Sequence, residues 1–217
     1  RAALAGTPAH DAIIDDFVAL ARRREFDPAW TDAFLASMEA DLTKRLYRTE
    51  AETLDYIYGS AEVIGLYMAR IMRLPPAADH AARRLGRAMQ FINFIRDVAE
   101  DAAMGRRYLP LERDGQPLLE GVADDWLPTR DWARARPAKW TNWLAGHLAR
   151  YAGWQAEAEA GYRFIPRRPR MAVRTAGDMY NWTARRIAAD PFVVFGPKVK
   201  PKKARIVWQA LWNGLRG

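Results

Sequence analysis

Helical periodicity runs through almost the whole chain and constrains its fold more than any other feature. Apolar residues recur at intervals of three and four, and Pro or Gly residues separate the segments in which they do so. No convincing run of alternating strand residues is present, and Val193-Val194-Phe195 is too short to found a sheet. The sequence therefore predicts an all-α fold, with helices at residues 9–24, 28–41, 51–72, 76–104, 137–160, 170–189 and 203–213.

Length and composition favour one folded domain. A chain of 217 residues is long enough for a sizeable core of its own. Half of the residues are hydrophobic and 28% are charged, which is typical of globular rather than disordered chains. The absence of cysteine excludes disulfides, thiolate metal sites and cysteine nucleophiles, and it fits a reducing compartment. We expect a single domain over residues 1–217 of a cytoplasmic protein.

The formal net charge of +8 favours an anionic partner, such as a phosphate, a lipid surface or a nucleic acid. Because no RNP, zinc-finger or helix-turn-helix spacing is present, nucleic acid is not the expected partner. No window of about 18 apolar residues predicts a membrane-spanning segment. The first residues, RAALAGTPAH, lack the apolar core of a signal peptide.

Eight of the nine tryptophans lie in the second half of the chain. Core packing is the default interpretation, and a position at a membrane interface is the alternative. The final segment, KVKPKKARIVWQALWNGLRG, combines a lysine cluster with Ile206, Trp208, Leu211, Trp212 and Leu215. It fits a tail that binds a membrane surface peripherally, and it fits a solvated final helix equally well.

Four polar residues interrupt the apolar segment QFINFIRDVAEDAAMGRR, residues 90–107. On a helix Gln90, Asn93, Asp97 and Asp101 fall within an arc of about 80°. Asp97 and Asp101 point the same way, and like charges at this spacing destabilise a helix by roughly a few tenths of a kcal/mol. A hard cation would reverse that penalty, since magnesium is typically held by one or two carboxylates plus substrate phosphates. The face is therefore either a metal or phosphate site or a solvated surface.

The segment LGRAMQFINFIRDVAEDAAMGRRYLP, residues 85–110, closely resembles the second aspartate-rich motif of the squalene/phytoene synthase family. The segments YIYGSAEVIGLYM, MEADLTKRLYRTEAE, TAGDMYNWTARRI and DPFVVFGPKVKPKKARI are similar to further parts of that family. Glu62 stands where many members carry glycine, and Ile64 replaces a valine. The similarity extends over essentially the whole chain.

The resemblance implies an isoprenoid synthase-type helical bundle around a central cavity. Members condense two prenyl diphosphates head to head through a cyclopropylcarbinyl diphosphate, and they use Mg²⁺, with Mn²⁺ as a possible substitute. The motifs are closest to phytoene synthases, which implies two geranylgeranyl diphosphates condensed through prephytoene diphosphate to phytoene in carotenoid biosynthesis. Two alternatives stay open: a squalene or dehydrosqualene synthase with C15 substrates, and a non-catalytic lipid-binding or assembly factor of the same fold.

The resemblance also implies roles for single residues. Asp97 and Asp101 are the expected metal ligands and, together with Tyr56, the expected catalytic residues. Tyr56 matches a tyrosine near the reacting carbons, although a buried packing tyrosine fits as well. The expected substrate-binding residues are Gln90, Asn93, Arg96, Tyr180 and Lys198.

The resemblance also bears on two arginines, on one aspartate and on the family's first aspartate motif. Arg106 and Arg107 are candidates for neutralising diphosphate, with surface arginines as the alternative, and Asp41 matches an aspartate near the cavity that we expect to be structural. Near the start of the chain only Asp11 and Asp15 have the spacing of the family's first aspartate motif. They align better with the segment after that motif, so we expect surface residues here and a domain that is incomplete at its N-terminus.

Overall fold

The computed structural model describes residues 1–216, and the chain is 70% helical with almost no strands. The α-helices are α1 Ala12–Arg23, α2 Pro28–Thr43, α3 Glu50–Ile57, α4 Val63–Ile71, α5 Asp79–Arg96, α6 Val98–Ala103, α7 Arg130–Ala135, α8 Pro137–Glu159, α9 Arg167–Ala189 and α10 Lys203–Arg216. Short 3₁₀ segments are Pro76–Ala78, Ala160–Phe164 and Val193–Phe195, and β1 Glu112–Arg113 pairs antiparallel with β2 Gln116–Pro117. The predicted all-α fold is confirmed.

Polar side chains fix where the first helices begin. The Asp11 carboxylate accepts hydrogen bonds from two backbone amides of the first turn of α1, so this helix begins at residue 12 and not at residue 9. Asp27 caps α2 in the same way, and Thr49 and Glu52 form a capping box at the start of α3. Both Asp11 and Asp15 are exposed, as the sequence predicted.

Two predicted helices are interrupted. The predicted helix at residues 51–72 contains a π-helical turn, Tyr58–Glu62, between α3 and α4. The predicted helix at residues 76–104 starts with a 3₁₀ turn and breaks at Asp97, whose φ of −96° and ψ of 8° separate α5 from α6. Apolar spacing does not reveal such breaks, because tertiary packing and side-chain pairing decide them. Residues 115–130 lie between two of the predicted helices and include β2 and the first residue of α7.

Helix α5 is the central element of the bundle and packs against α4, α8 and α9. Its apolar side meets the aromatic side of α8 in the main core, whose largest members are Phe91, Ile92, Ile95, Trp140, Trp143, Leu144, Tyr151 and Trp154. A second core joins α1, α2 and α4 and includes Phe26, Trp30, Val63, Leu66 and Tyr67. The default interpretation of tryptophan as a core residue therefore holds for Trp30, Trp140, Trp143 and Trp154.

Two glycines allow α4 and α5 to approach closely. A Cβ atom on Gly65 would lie 2.2 Å from the Ala82 carbonyl oxygen, and one on Gly86 would lie 2.3 Å from the Ala61 carbonyl oxygen. Since real Cβ atoms do not come so near to backbone oxygens, any larger residue at either position would push the two helices apart. Beside this crossing, Glu62 is fully buried and pairs with Arg83 and Arg87 of α5.

The buried histidine of α8 makes acid stability testable. His147 is 1% exposed, between the rings of Phe91 and Trp143, and burial lowers its pKa to about 3. Because an unfolded histidine takes up its proton near pH 6.5, the unfolded chain binds more protons than the native one between these values. Native stability is therefore expected to fall as the pH falls from about 6.5 to about 3. In His147→Phe, the urea midpoint of unfolding should depend less on pH across this range. An unchanged pH dependence would contradict the inference that the buried, neutral His147 causes the loss of stability.

Candidate active site

A polar cleft of about 250 Å³ opens at the C-terminal end of α5. Its walls come from α3, α5, α6 and the segment after α6, and it is lined by Tyr56, Gln90, Asn93, Phe94, Arg96, Asp97, Asp101 and Tyr108. Six of the eight site residues predicted from the sequence therefore line one cleft, and the other two, Tyr180 and Lys198, lie beside it. The break between α5 and α6 falls at the first of the two aspartates.

Two cations already pair with Asp97. The Arg96 guanidinium donates two hydrogen bonds to its carboxylate, at 2.8 and 2.6 Å. The Lys198 ammonium lies 3.2 Å from Asp97 Oδ1 and 2.9 Å from Glu100 Oε2. Both cations were predicted to bind substrate, and an anionic ligand in the cleft would compete with Asp97 for them.

In the described residues, Asp101 has no paired cation like those of Asp97. Within residues 1–216 its carboxylate has no hydrogen-bond or ion-pair partner. Burial and the neighbouring charges of Asp97 and Glu100 raise the pKa of Asp101 to about 7, although Arg106 and Lys198 partly offset this. A cation at this face would stabilise the ionised carboxylate, because opposite charge favours the charged form.

A hydrogen-bonded cluster fixes two tyrosines at the opposite wall. The Tyr56 hydroxyl donates to Asp41 Oδ2 at 2.8 Å, and the Tyr108 hydroxyl donates to Asp41 Oδ1 at 2.9 Å. Arg106 donates to the Tyr108 hydroxyl at 3.0 Å and to the Asp41 carbonyl oxygen at 3.1 Å. Burial, followed by the hydrogen bond to Asp41, raises the pKa of Tyr56 far above its ordinary value. Tyr56 therefore stays protonated at neutral pH and acts here as a donor.

An apolar cavity of about 500 Å³ adjoins the polar cleft. It lies between α4, α5 and α9, and Gln90 and Asn93 line both spaces. Tyr180 of α9 is a further lining residue. Within the described chain, Asn93 Oδ1 is buried without a hydrogen-bond partner, so it is available to a ligand at the junction. The volume is in the range of ordinary small-molecule sites.

Comparison with known proteins identifies the family. Residues 1–209 match the pattern of the family described as squalene/phytoene synthase. The chain belongs to the squalene/phytoene synthase family. It is 32% identical over 174 residues to 15-cis-phytoene synthase of Enterobacter agglomerans, covering 79% of this chain and 56% of that protein. It is 31% identical over 186 residues to 15-cis-phytoene synthase of Pantoea ananas, covering 83% and 57%.

Two solved structures share the fold of this squalene/phytoene synthase family member. A dehydrosqualene synthase in complex with ligand has a TM-score of 0.71 at 19% identity, covering 95% of this chain and 71% of that one. A squalene synthase from Alicyclobacillus acidocaldarius has a TM-score of 0.63 at 21% identity, covering 85% and 66%. The predicted isoprenoid synthase-type bundle is thereby confirmed. The chain spans just over half the length of the two curated relatives named above.

Squalene/phytoene synthases use a divalent metal ion, and the residues of this cleft fit one. In residues 1–216 no group of three or more His, Asp or Glu side chains is arranged to hold an ion by protein ligands alone. Magnesium, however, commonly takes only one or two carboxylates and completes its shell with substrate phosphates and water. Asp97 and Asp101 line the same cleft, and within the described residues Asp101 forms no ion pair.

The structure corrects one interpretation and adds one residue to the site of this family member. Arg107 is buried, and its guanidinium donates to the carbonyl oxygens of Asp124, at 2.8 Å, and Trp126. It does not line the cleft, so the prediction that it neutralises diphosphate is wrong. Tyr108 was missed, although it lies within the quoted motif, because no spacing rule links it to Asp41, 67 residues earlier.

Proposed function

We propose that the protein condenses two prenyl diphosphates head to head, with two geranylgeranyl diphosphates giving phytoene in carotenoid biosynthesis. The observation that carries this proposal is the junction at Gln90 and Asn93, where a polar cleft for a charged head group meets an apolar cavity for its chain. The two curated relatives described above, each named 15-cis-phytoene synthase, support the same reaction.

Asp97 and Asp101 would hold Mg²⁺, with Mn²⁺ as a possible substitute. When bound, the ion neutralises the diphosphate and so favours its departure from the allylic carbon. Arg96 and Lys198 both pair with the Asp97 carboxylate, so both cations lie beside the position proposed for the ion and its diphosphate. Asn93 and Gln90 orient the first carbons of the chain where the cleft opens into the cavity.

The chemistry needs ionisation in a dry site. In the first step one allylic diphosphate leaves, its carbon bonds to the double bond of the second substrate, and loss of a proton closes a cyclopropane. In the second step the remaining diphosphate leaves, and rearrangement with loss of a proton gives the hydrocarbon, so no reductant is consumed. Tyr56 and Tyr108 both line the cleft, and aromatic side chains at such a site stabilise cationic carbon. Their hydrogen bonds to Asp41 hold both rings in place.

Turnover tests this function. The full-length protein is incubated with geranylgeranyl diphosphate and Mg²⁺, and the extract is analysed for hydrocarbon and for pyrophosphate. We expect phytoene and two pyrophosphates for each hydrocarbon formed, and neither product in Asp97→Asn. Intact protein that makes no hydrocarbon from C20 or C15 diphosphates would contradict the proposal and favour a non-catalytic member of the family.

We also propose that α10 binds a membrane surface peripherally. Trp208 and Leu211 are 63% and 65% exposed, and the Trp208 ring stacks on that of Trp212. The preceding segment, KVKPKK, supplies lysines for anionic lipid headgroups. No helix in residues 1–216 has the length and apolar character needed to span a bilayer.

Vesicle binding tests the membrane proposal. Burying a large apolar side chain is worth about 1.5–3 kcal/mol, so Trp208→Ser with Leu211→Ser should weaken binding to anionic phospholipid vesicles by at least about tenfold. Ile13→Ser is the matched control, because Ile13 is 82% exposed on α1, away from this tail. Equal sedimentation of the wild type and the double variant would contradict a membrane role for α10.

A further inference from the structure

Lys198 bridges an inner and an outer carboxylate at the edge of the polar cleft. Its ammonium nitrogen lies 3.2 Å from Asp97 Oδ1 and 2.9 Å from Glu100 Oε2. The Asp97 side chain lines the cleft and is 17% exposed, whereas the Glu100 side chain is 59% exposed and does not line it. Glu100 lies in the first turn of α6, three residues after Asp97, so the two side chains are neighbours on one face. The lysine can therefore pair with either carboxylate.

The backbone that carries Lys198 is held in place on both sides. Val194 and Val199 are 6% and 7% exposed, and the Phe195 ring packs against that of Trp140, with the ring centroids 5.0 Å apart. The 3₁₀ turn that contains Phe195 also contacts α6. A lysine ammonium is carried on a flexible four-carbon stem. The ammonium can therefore move between the two carboxylates while the segment that carries it stays where it is.

A divalent ion and Lys198 would compete for the Asp97 carboxylate, because both are cations and like charges repel. A lysine with no other partner would therefore oppose the binding of the ion. Glu100 supplies a second partner outside the cleft, and its contact with Lys198 is already the shorter of the two. A lysine held by Glu100 leaves Asp97 to the ion and stays beside the cleft, where it can pair with an anionic ligand.

We propose that Glu100 is a positioning residue, which draws Lys198 away from Asp97 and holds the ammonium at the edge of the cleft for the diphosphate of the substrate. This inference rests on the proposed function, and it adds a residue that acts only through Lys198. Because exposed ion pairs contribute little to stability, the pair between Glu100 and Lys198 is not needed for folding. Glu100→Gln should therefore unfold at the temperature of the wild type and differ from it in ligand binding.

The sign of the change in binding separates positioning from simple electrostatics. Glu100 is a negative charge beside a site for an anion, so its charge alone weakens the binding of a diphosphate. If that were its only effect, Glu100→Gln would bind diphosphate more tightly than the wild type. Positioning predicts the opposite, because Lys198 then returns to Asp97 and competes with the ion.

The test is a double-mutant cycle on the binding of inorganic pyrophosphate in excess Mg²⁺, measured by calorimetry on the full-length protein. We expect Glu100→Gln to weaken binding about threefold to fivefold, as befits an exposed ion pair. In a Lys198→Met background the same substitution should cause no weakening, because the residue that it positions is gone. Glu157→Gln is the matched control, since Glu157 also forms an exposed ion pair but lies with Arg84 near the start of α5.

The outcomes separate this inference from the proposed function. Tighter or unchanged pyrophosphate binding in Glu100→Gln, or equal weakening with and without Lys198, would overturn the inference and leave hydrocarbon formation by the wild type unaffected. Absence of pyrophosphate binding by the wild type would also overturn it. If the wild type binds pyrophosphate but makes no hydrocarbon, the proposed function fails, while weakening that depends on Lys198 would still support the role of Glu100.

Discussion

Asp101→Asn is expected to lower hydrocarbon formation from prenyl diphosphates by about 10³-fold. A metal ion contributes several kcal/mol to the stabilisation of a departing anion, and each 1.4 kcal/mol corresponds to about a tenfold change in rate. The amide keeps the size of the side chain but removes the negative charge that a divalent cation requires. The measurement is turnover of geranylgeranyl diphosphate at saturating Mg²⁺.

The same variant should be more stable than the wild type at pH 8 in the absence of metal. The pKa of Asp101 is raised to about 7, so between about pH 3.9 and 7 the native state holds a proton that the unfolded chain has lost. Wild-type stability therefore falls as the pH rises through this window, and Asp101→Asn removes that loss. Urea midpoints at pH 5 and pH 8 measure the difference.

Asp15→Asn is the matched control for this experiment. Asp11 and Asp15 have the same four-residue spacing as Asp97 and Asp101, but both are exposed on or beside α1. Activity within about threefold of the wild type is expected for Asp15→Asn, since surface changes away from special features have small effects. Normal activity of Asp101→Asn would contradict a role for Asp101 at the centre of the site.

Glu62→Ala is expected to lower the free energy of unfolding by about 3 kcal/mol. Glu62 is 0% exposed, and its two oxygens lie 2.9 Å from Arg83 Nε and 2.6 Å from Arg87 Nε. Breaking a buried ion pair by removing one partner costs about 3–5 kcal/mol, because the other charge stays buried. We expect the lower end of this range of free energies for Glu62→Ala, because the Arg83 side chain is 44% exposed and can reach water.

An exposed ion pair provides the control for Glu62. Glu157 joins α8 to Arg84 and His80 of α5, but its side chain is 44% exposed. Removing it should cost less than about 1 kcal/mol, as is usual for surface ion pairs. Urea denaturation of Glu62→Ala and Glu157→Ala gives the two values. Equal destabilisation would show that Glu62 does not stabilise the α4–α5 contact as we infer.

Local pattern predicted much of this fold, and tertiary contacts account for what it missed. Steps of three and four residues lead from Gln90 through Asn93 to Asp101. This spacing was enough to place these residues on one helical face and so to group them. Spacing gave no sign of the break at Asp97, where the carboxylate pairs with the neighbouring guanidinium of Arg96.

The remaining parts of the site depend on residues that are far apart in the sequence. Asp41 meets Tyr56 and Tyr108 only after α2, α3 and the segment after α6 have packed together. The apolar cavity is similar, since its walls come from three helices and also from Leu74 and Ile165. Periodicity shows that such residues are apolar but not that they enclose one space.

The central claim is that Asp97 and Asp101 bind a divalent cation together with the diphosphate of the substrate. Electron paramagnetic resonance of Mn²⁺, with and without a non-reactive geranylgeranyl thiolodiphosphate, tests it most directly. We predict that the wild-type protein with the analogue removes the signal of free Mn²⁺, and that Asp97→Asn and Asp101→Asn, confirmed as folded, leave most of it in place. Equal binding of Mn²⁺ by the wild type and both variants would contradict the claim.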